Sequence, residues 1–461
     1  MQTAGTGSAA SLSPGTPAMA VARAERFLHR GEATRAVQIL LHIEPGAIRL
    51  ADVALRAGRA SLWLHRLPLA AAFLQRAAVL SPDAEDVRAV RAQCRALRAQ
   101  PATLEAAHRA LRAQLERLAR NAQPASALPP EHIHVVCKLD TLGGTERRAL
   151  NLYRSLSAHV ATTLWSTVPA GTAALAEASI RLIEGASVPR GGTLVMSGSY
   201  YRCGEWLDTS PFERVVICHN LLEQHADLAQ RLSRLEANPS HPEVELTFPS
   251  RMFKTFTGLP GRLEYSPVDT ELFRPRASPS KERKPLCIGR HGRAWRFKFH
   301  PNDPALFRAL LARGHSIRIL GGSAIAPAFS EDQAPLPELL DAGAVPAPEF
   351  LAGLDVFLYR KHPQWMETGG TVIMEAMSSA LPVVVFGEGC GYAELIEDGR
   401  NGFLVASEAE ACARIDELHA DPALRTRLGE AARATMLDLM QRQQRALLDF
   451  YLGDGAAGGW L

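Results

Sequence analysis

The sequence predicts an α/β protein: two parallel, helix-covered sheets in series, preceded by an all-α N-terminal region. Three observations carry this. From residue 132 onward, short apolar runs alternate with turns and helical stretches, which is the pattern of βα units. That series starts afresh near 285, after the Pro- and Ser-rich stretch SPVDTELFRPRASPS (266–280). Before 122 the strand signal is nearly absent, and Ala, Leu and Arg recur at helical spacing.

At 461 residues the chain has room for about three domains. Its 47% apolar and 21% charged residues are ordinary for a protein with a sizeable core. The net charge of +3 points to no particular partner and gives no reason to expect nucleic acid. Residues 1–125, however, hold 17 Arg, no Lys and only 9 acidic residues. That surplus reads either as a solvated Arg-rich helical face or as a surface for an acidic partner or anionic membrane. The seven cysteines include no Cys-x-x-Cys and no Cys/His cluster with zinc spacing, which fits a reducing cytoplasm. No apolar run approaches the length of a membrane span, so any membrane contact is expected to be peripheral, at the inner face of the plasma membrane.

In chain order, residues 1–17 are Gly-, Ser-, Thr- and Pro-rich and are expected to be disordered. Residues 18–121 form a helical module. Two pieces, 31–45 and 60–82, are similar to each other, and the second resembles a tetratricopeptide repeat in its small residues Ala60, Ala70 and Ala77 followed by Pro82. An irregular helical bundle fits as well. The module is a candidate docking surface for a protein partner. Residues 101–121 read as its closing amphipathic helix, and 122–131 as a linker.

A first α/β domain then spans 132–268, with strands expected at 132–137, 161–166, 193–197, 214–218 and 245–248. An interdomain linker covers 269–284. A second α/β domain spans 285–430, with strands at 285–289, 316–322, 355–360, 382–387 and 402–405, and helices at 303–313, 371–379, 391–396 and 408–418. A C-terminal helix occupies 431–461. Ligands of open α/β sheets bind beyond the carboxyl ends of the strands, so two facing sheets enclose a cleft.

Four constellations fall at such strand ends. WMETGGTVIMEAM (365–377) puts Glu367 in a loop, Gly369-Gly370 in a tight turn and Thr371 and Val372 at a helix N-terminus. That terminus favours a phosphate. Glu375, a little over one turn into the helix, is placed to accept hydrogen bonds from vicinal hydroxyls such as those of a ribose. GRHGRAWRFKFHP (289–301) offers Arg290, Arg293, Arg296 and Lys298, fixed cations suited to a diphosphate. LDTLGGTERRAL (139–150) places Gly143 and Gly144 before a helix with Thr145 as its N-cap; it is not a dinucleotide fingerprint. VVICHNLLEQH (215–225) sets His219 at a strand end, either as a structural histidine or facing the cleft. There is no Asp-x-Asp, phosphate loop or nucleophile elbow.

The block ETGGTVIMEAMSSALPVVV, with GYAELIEDGRNGFLV after it and GGTERRALNL, VDTELFRP and Arg293-x4-Lys298 before it, resembles the retaining group 1, or family 4, glycosyltransferases over roughly 131–450. The resemblance implies a GT-B architecture, two Rossmann-like domains facing a cleft. The first takes the acceptor and the second the nucleotide sugar. It implies a hexosyltransferase that uses a UDP- or GDP-linked donor, needs no metal or cofactor, and acts on a glycan or lipid-linked acceptor in surface polysaccharide synthesis. By that resemblance Glu367, Arg293, Lys298 and His219 are catalytic. Glu375, Gly369, Gly370, Thr371, Val372, Arg290 and Gly322 bind the donor, and Gly143, Gly144 and Thr145 form the acceptor-side loop. Two features depart from the family: Thr-Gly-Gly follows Glu367 where Gly-aromatic-Gly is usual, and the first domain is short. These motivate rival readings, a catalytically silent interaction protein or another GT-B reaction such as nucleotide-sugar epimerisation.

Overall fold

A computed structural model describes residues 16–29, 36, 39–63, 67–81, 84, 87–88, 102–123, 131–275, 285–295, 298–330, 333, 335–363, 365–387 and 390–452. Residues 1–15 of the expected disordered tail, 124–130 of the linker, 31–35 and 37–38 of the first repeat-like piece, and Arg296 lie outside these residues. The chain divides into two compact units, 1–107 and 108–461.

Within the first unit, helices Ala51–Trp63 and Leu67–Leu80 form a hairpin. Ala60, Ala70 and Ala77 are buried in it. A Cβ on Gly58 would stand 2.6 Å from Leu74 Cδ2, so the small residues there let the helices approach. Glu25 of helix Pro17–His29 pairs with Arg56. The 60–82 piece thus covers the end of the first of these helices and the whole of the second.

The helix expected to close that module runs Ala102–Asn121, but from His108 it belongs to the second unit. Its Leu111, Leu115 and Leu118 pack with Leu228, Leu232, Phe253 and Leu259 of the first α/β domain. Gln114 donates to Ser233 Oγ at 2.9 Å, and Arg117 Nε meets Glu236 Oε1 at 2.6 Å. The amphipathic stripe is as the sequence predicts, and its apolar face buries against the sheet domain that follows.

The first sheet has seven strands: β1 (Ile133–Cys137), β2 (Thr162–Ser166), β3 (Ile180–Leu182), β4 (Thr193–Ser197), β5 (Arg214–Cys218), β6 (Glu243–Phe248) and β7 (Arg262–Leu263), in the order 3-2-1-4-5-6-7. The second has six: β8 (Cys287–His291), β9 (Ser316–Leu320), β10 (Glu338–Leu340), β11 (Val356–Tyr359), β12 (Val383–Phe386) and β13 (Phe403–Val405), in the order 10-9-8-11-12-13. Every pairing is parallel. Ile133 lies opposite both Thr162 and Thr193, and Ile288 opposite both Ile317 and Val356. Both faces of such sheets are covered, so the strands are nearly unbroken Val, Ile and Leu. The ten expected strands are all present. The additional ones, β3, β7 and β10, are edge strands of two or three residues.

The strand order reverses between β1 and β4 in one sheet and between β8 and β11 in the other. These are the switch points at which open α/β sheets bind ligands. The final helix, Pro422–Leu452, begins earlier than expected and is continuous over 31 residues. Its Ala432, Met436 and Leu439 lie in the second domain's core, and its Leu447, Phe450 and Tyr451 in the first's. Between these, Gln443 Nε2 donates to the Tyr265 carbonyl at 2.6 Å. Tyr451 donates at 2.9 Å to Glu264, the buried partner of Arg148. The six described cysteines are free thiols.

Candidate functional site

β11 ends at Tyr359, and the loop that follows carries Glu367. Tyr359 donates its hydroxyl to Glu367 Oε2 at 3.0 Å, and Lys298 Nζ stands 2.5 Å from the same oxygen. Burial, with Glu367 beside it, raises the Tyr359 phenol well above its ordinary range, so it stays a donor. Lys298 also lies 5.6 Å from the centroid of the Trp365 ring, against which Trp295 packs edge-on at 4.6 Å. The Glu367 carbonyl accepts from Gly391 N–H at 2.8 Å, which pins the loop to the next strand's exit.

The chain then turns through Gly370 at φ +123°, where a Cβ would lie 2.6 Å from Tyr392 Cβ. Only glycine adopts that backbone without strain. Helix Thr371–Ser378 begins immediately. The N–H groups of Thr371 and Val372 fall in its first turn, where no intrahelical carbonyl reaches them. Glu375 is buried on this helix, its Oε2 3.0 Å from His291 Nε2. That is ion-pair distance, but the ring is not oriented to complete a hydrogen bond.

The basic loop divides in two. Lys298 reaches Glu367, and Arg293 crosses to the first domain, pairing with Glu146. Arg290 corrects its expected role as a donor-binding cation. Its side chain is buried between the Phe299 and Tyr359 rings, donates to the Arg360 carbonyl at 2.9 Å and to the Lys298 carbonyl at 2.5 Å, and lies 3.5 Å from Asp303. It buttresses the loop that carries Lys298. Gly322 opens a 3-10 helix after β9 on the same sheet edge; a Cβ there would stand 2.9 Å from Leu339.

Across the cleft, helix Gly144–Ser157 starts two residues earlier than Thr145 as N-cap predicts. Gly143 is its N-cap, and Glu146 closes the turn by accepting from Gly143 N–H at 2.9 Å. Thr145 lies inside the first turn instead, and its hydroxyl accepts from Asn220 Nδ2 at 2.8 Å. Asn220's carbonyl accepts in turn from Thr368 Oγ1 at 2.5 Å, one residue beyond Glu367. A Cβ on Gly144 would stand 3.7 Å from Thr371 Oγ1. Gly369 is similarly close to Pro249 of the first domain, 3.5 Å from Cβ to Cβ. The Gly-rich loop and the Glu367 loop therefore meet.

His219 does not join them. Its ring is fully buried in the first domain, 4.7 Å from His225 and 5.2 Å from Phe253 between centroids. Burial holds its pKa well below the usual range, so the ring is neutral. The cleft-lining group from that strand end is Asn220. Sequence reasoning also missed Tyr359, His291, Thr368 and Glu146. Of these only Glu146 left a signal, its position three residues after the Gly143 cap. Among the described residues, no cluster of three or more His, Cys, Asp or Glu is arranged to hold a metal ion.

Two parallel sheets meeting at their switch points, with an anion-favouring helix terminus and paired Lys and Glu on one side and a Gly-rich loop on the other, define a GT-B protein. Residues 342–435 match the family "Glycosyl transferases group 1". It is similar to the lipopolysaccharide core biosynthesis glycosyltransferase LpsE of Rhizobium meliloti (strain 1021), 37% identical over 106 residues. That stretch spans 22% of this chain and 29% of LpsE, under a third of the curated relative's length. A glycosyltransferase from Rickettsia africae ESF-5 shares the fold, with a TM-score of 0.51 at 13% identity over 69% of this chain and 97% of that one. Anabaena Alr3699/HepE, solved with UDP and glucose, gives 0.49 at 15% identity over 69% and 99%.

Proposed function

We propose that the protein is a glycosyltransferase that moves a hexose from a UDP- or GDP-linked donor to a glycan or lipid-linked acceptor. Transfer would proceed with retention of anomeric configuration and without a metal ion. The observation that supports this best is the convergence of Lys298, Glu367 and the Thr371 helix N-terminus at the β8/β11 switch point.

In this reading the donor's anomeric carbon–oxygen bond breaks towards the diphosphate. Lys298, Arg293 and the N–H groups of Thr371 and Val372 receive the leaving charge as preorganised positive groups. Glu375 takes the ribose hydroxyls, and Glu367, beside Lys298, lies by the donor sugar. The acceptor hydroxyl attacks on the face the diphosphate leaves, which retains configuration, and its proton passes to a diphosphate oxygen. Gly143, Gly144 and Thr145 line the acceptor side. The partial likeness to LpsE supports surface polysaccharide synthesis as the setting.

A thermal-shift series with UDP, GDP, ADP, CMP and dTDP, on wild type and Glu375→Ala, tests the donor half. Ligand at 100 times its dissociation constant adds about 2.7 kcal/mol to native stability. A shift with UDP or GDP that disappears in the variant is the expected result. No shift with any of the five removes the reading. Proton NMR of the product anomer then decides retention, and activity in excess EDTA decides metal independence.

A further inference from the structure

Glu146 stands outside the donor side of the site, yet it is the carboxylate that holds Arg293. Three donors converge on it. Gly143 N–H reaches Oε2 at 2.9 Å, the Tyr200 hydroxyl reaches Oε1, and the Arg293 guanidinium reaches Oε2. The first two come from its own domain and fix its position. The third comes from the opposite domain and is the only cation among the three. Glu146's side chain is 3% exposed, whereas that of Arg293 is 45% exposed. A carboxylate that dry depends on its counterion, so opening the cleft would cost Glu146 its charge partner. Gly143 makes the approach possible: a Cβ there would stand 1.7 Å from Arg293 Nη2. The Thr368–Asn220–Thr145 chain joins the same two domains independently, through the Glu367 loop.

We propose that Glu146 is a positioning residue that couples closure of the cleft to the aiming of Arg293. By holding one guanidinium nitrogen, it latches the two domains and leaves the remaining N–H groups to face a diphosphate. The diphosphate half rests on the function proposed above; the latch does not.

The test uses the full chain, as wild type, Glu146→Gln, Arg293→Gln and the double variant. Hydrogen exchange without ligand reads the latch. Each single variant is expected to speed exchange on both sides, in 139–150 and in 289–295. Change confined to the domain that carries the substitution overturns the latch. If Glu146→Gln fails to fold, Arg293→Gln alone decides, through its effect on 139–150. Calorimetry with UDP, GDP and ADP reads the aiming. Glu146→Gln should weaken the nucleotide that wild type binds by about tenfold or more, and the double variant should bind no more weakly than Arg293→Gln. Additive losses mean that Glu146 acts apart from Arg293, as a helix cap alone, and overturn the aiming. If wild type binds none of the three while exchange still responds reciprocally, the latch stands and the diphosphate half falls with the proposed function.

Discussion

Lys298 Nζ lies 2.5 Å from Glu367 Oε2 although 69 residues separate them in the chain, and Tyr359 donates to the same oxygen. The pair spans the switch point of the second sheet and lies within the segment where donor chemistry is proposed. Lys298→Met should abolish most turnover, by about a hundredfold or more. It should cost only about 1–3 kcal/mol of stability, because Tyr359 still serves Glu367. Steady-state transfer kinetics and urea denaturation on one preparation check both parts. Activity near the wild-type level would remove Lys298 from the chemistry.

Gly370→Ala should damage the donor site through the backbone. It forces an L-residue to φ +123° and sets a Cβ 2.6 Å from Tyr392 Cβ. Such strain costs on the order of 1–3 kcal/mol and shifts the helix N-terminus that follows. Lower melting temperature together with weaker UDP or GDP binding is the expected pair of results.

Arg290 and Arg293 should separate cleanly. Arg290→Met leaves Asp303 with Arg360 as its remaining basic side chain in a buried network and should destabilise the protein by about 3 kcal/mol. Arg293→Gln takes the cation from buried Glu146 but leaves it a neutral donor, so it should cost less stability than Arg290→Met and much more activity. Chemical denaturation and turnover of both variants would show the opposite signatures.

Acid should destabilise the first α/β domain before its carboxylates titrate. Burial, reinforced by His108, lowers the pKa of His225 to about 4, and burial lowers that of His134 to about 4. Unfolded histidine titrates near 6.5. Between those values the unfolded chain binds protons that the folded chain does not, so stability falls as pH drops from about 6.5 to about 4. Each ring contributes up to roughly 3 kcal/mol across that window. Urea midpoints at pH 7 and pH 5 measure the slope, and His225→Gln should flatten it.

The strands of both sheets were legible because parallel strands buried on both faces are continuous apolar runs, as in PVVVFG and HIHVVC. β3, β7 and β10 were not, being too short to show a period. At the site, the loops singled out by sequence chemistry do meet, but at two strand ends the side chain it picked turns inward. Arg290 looks like a phosphate ligand and His219 like a cleft histidine. Successive side chains along a strand point to opposite faces, so Arg290 turns inward to Asp303 while its neighbour His291 approaches Glu375. Next to His219, buried among rings, Asn220 reaches Thr145 and Thr368. Which parity faces the cleft depends on how the sheet is packed, and no local pattern encodes it. The Glu146–Arg293 pair was hidden for a related reason: its members come from different domains and meet only when both have formed.

The final helix bears on how the cleft can move. Helix Pro422–Leu452 is embedded in the second domain by Ala432 and Met436 and in the first by Phe450 and Tyr451. The chain also crosses between the domains near Val268, whose N–H meets Met440 Sδ at 3.3 Å. Two bodies joined at two neighbouring crossings can neither slide apart nor swivel freely. They rock about the line through those crossings, and a helix resists stretching far more than bending. The helix thus works as a leaf spring behind the cleft. Loops close to that line barely travel, while those at the far rim sweep the widest arc.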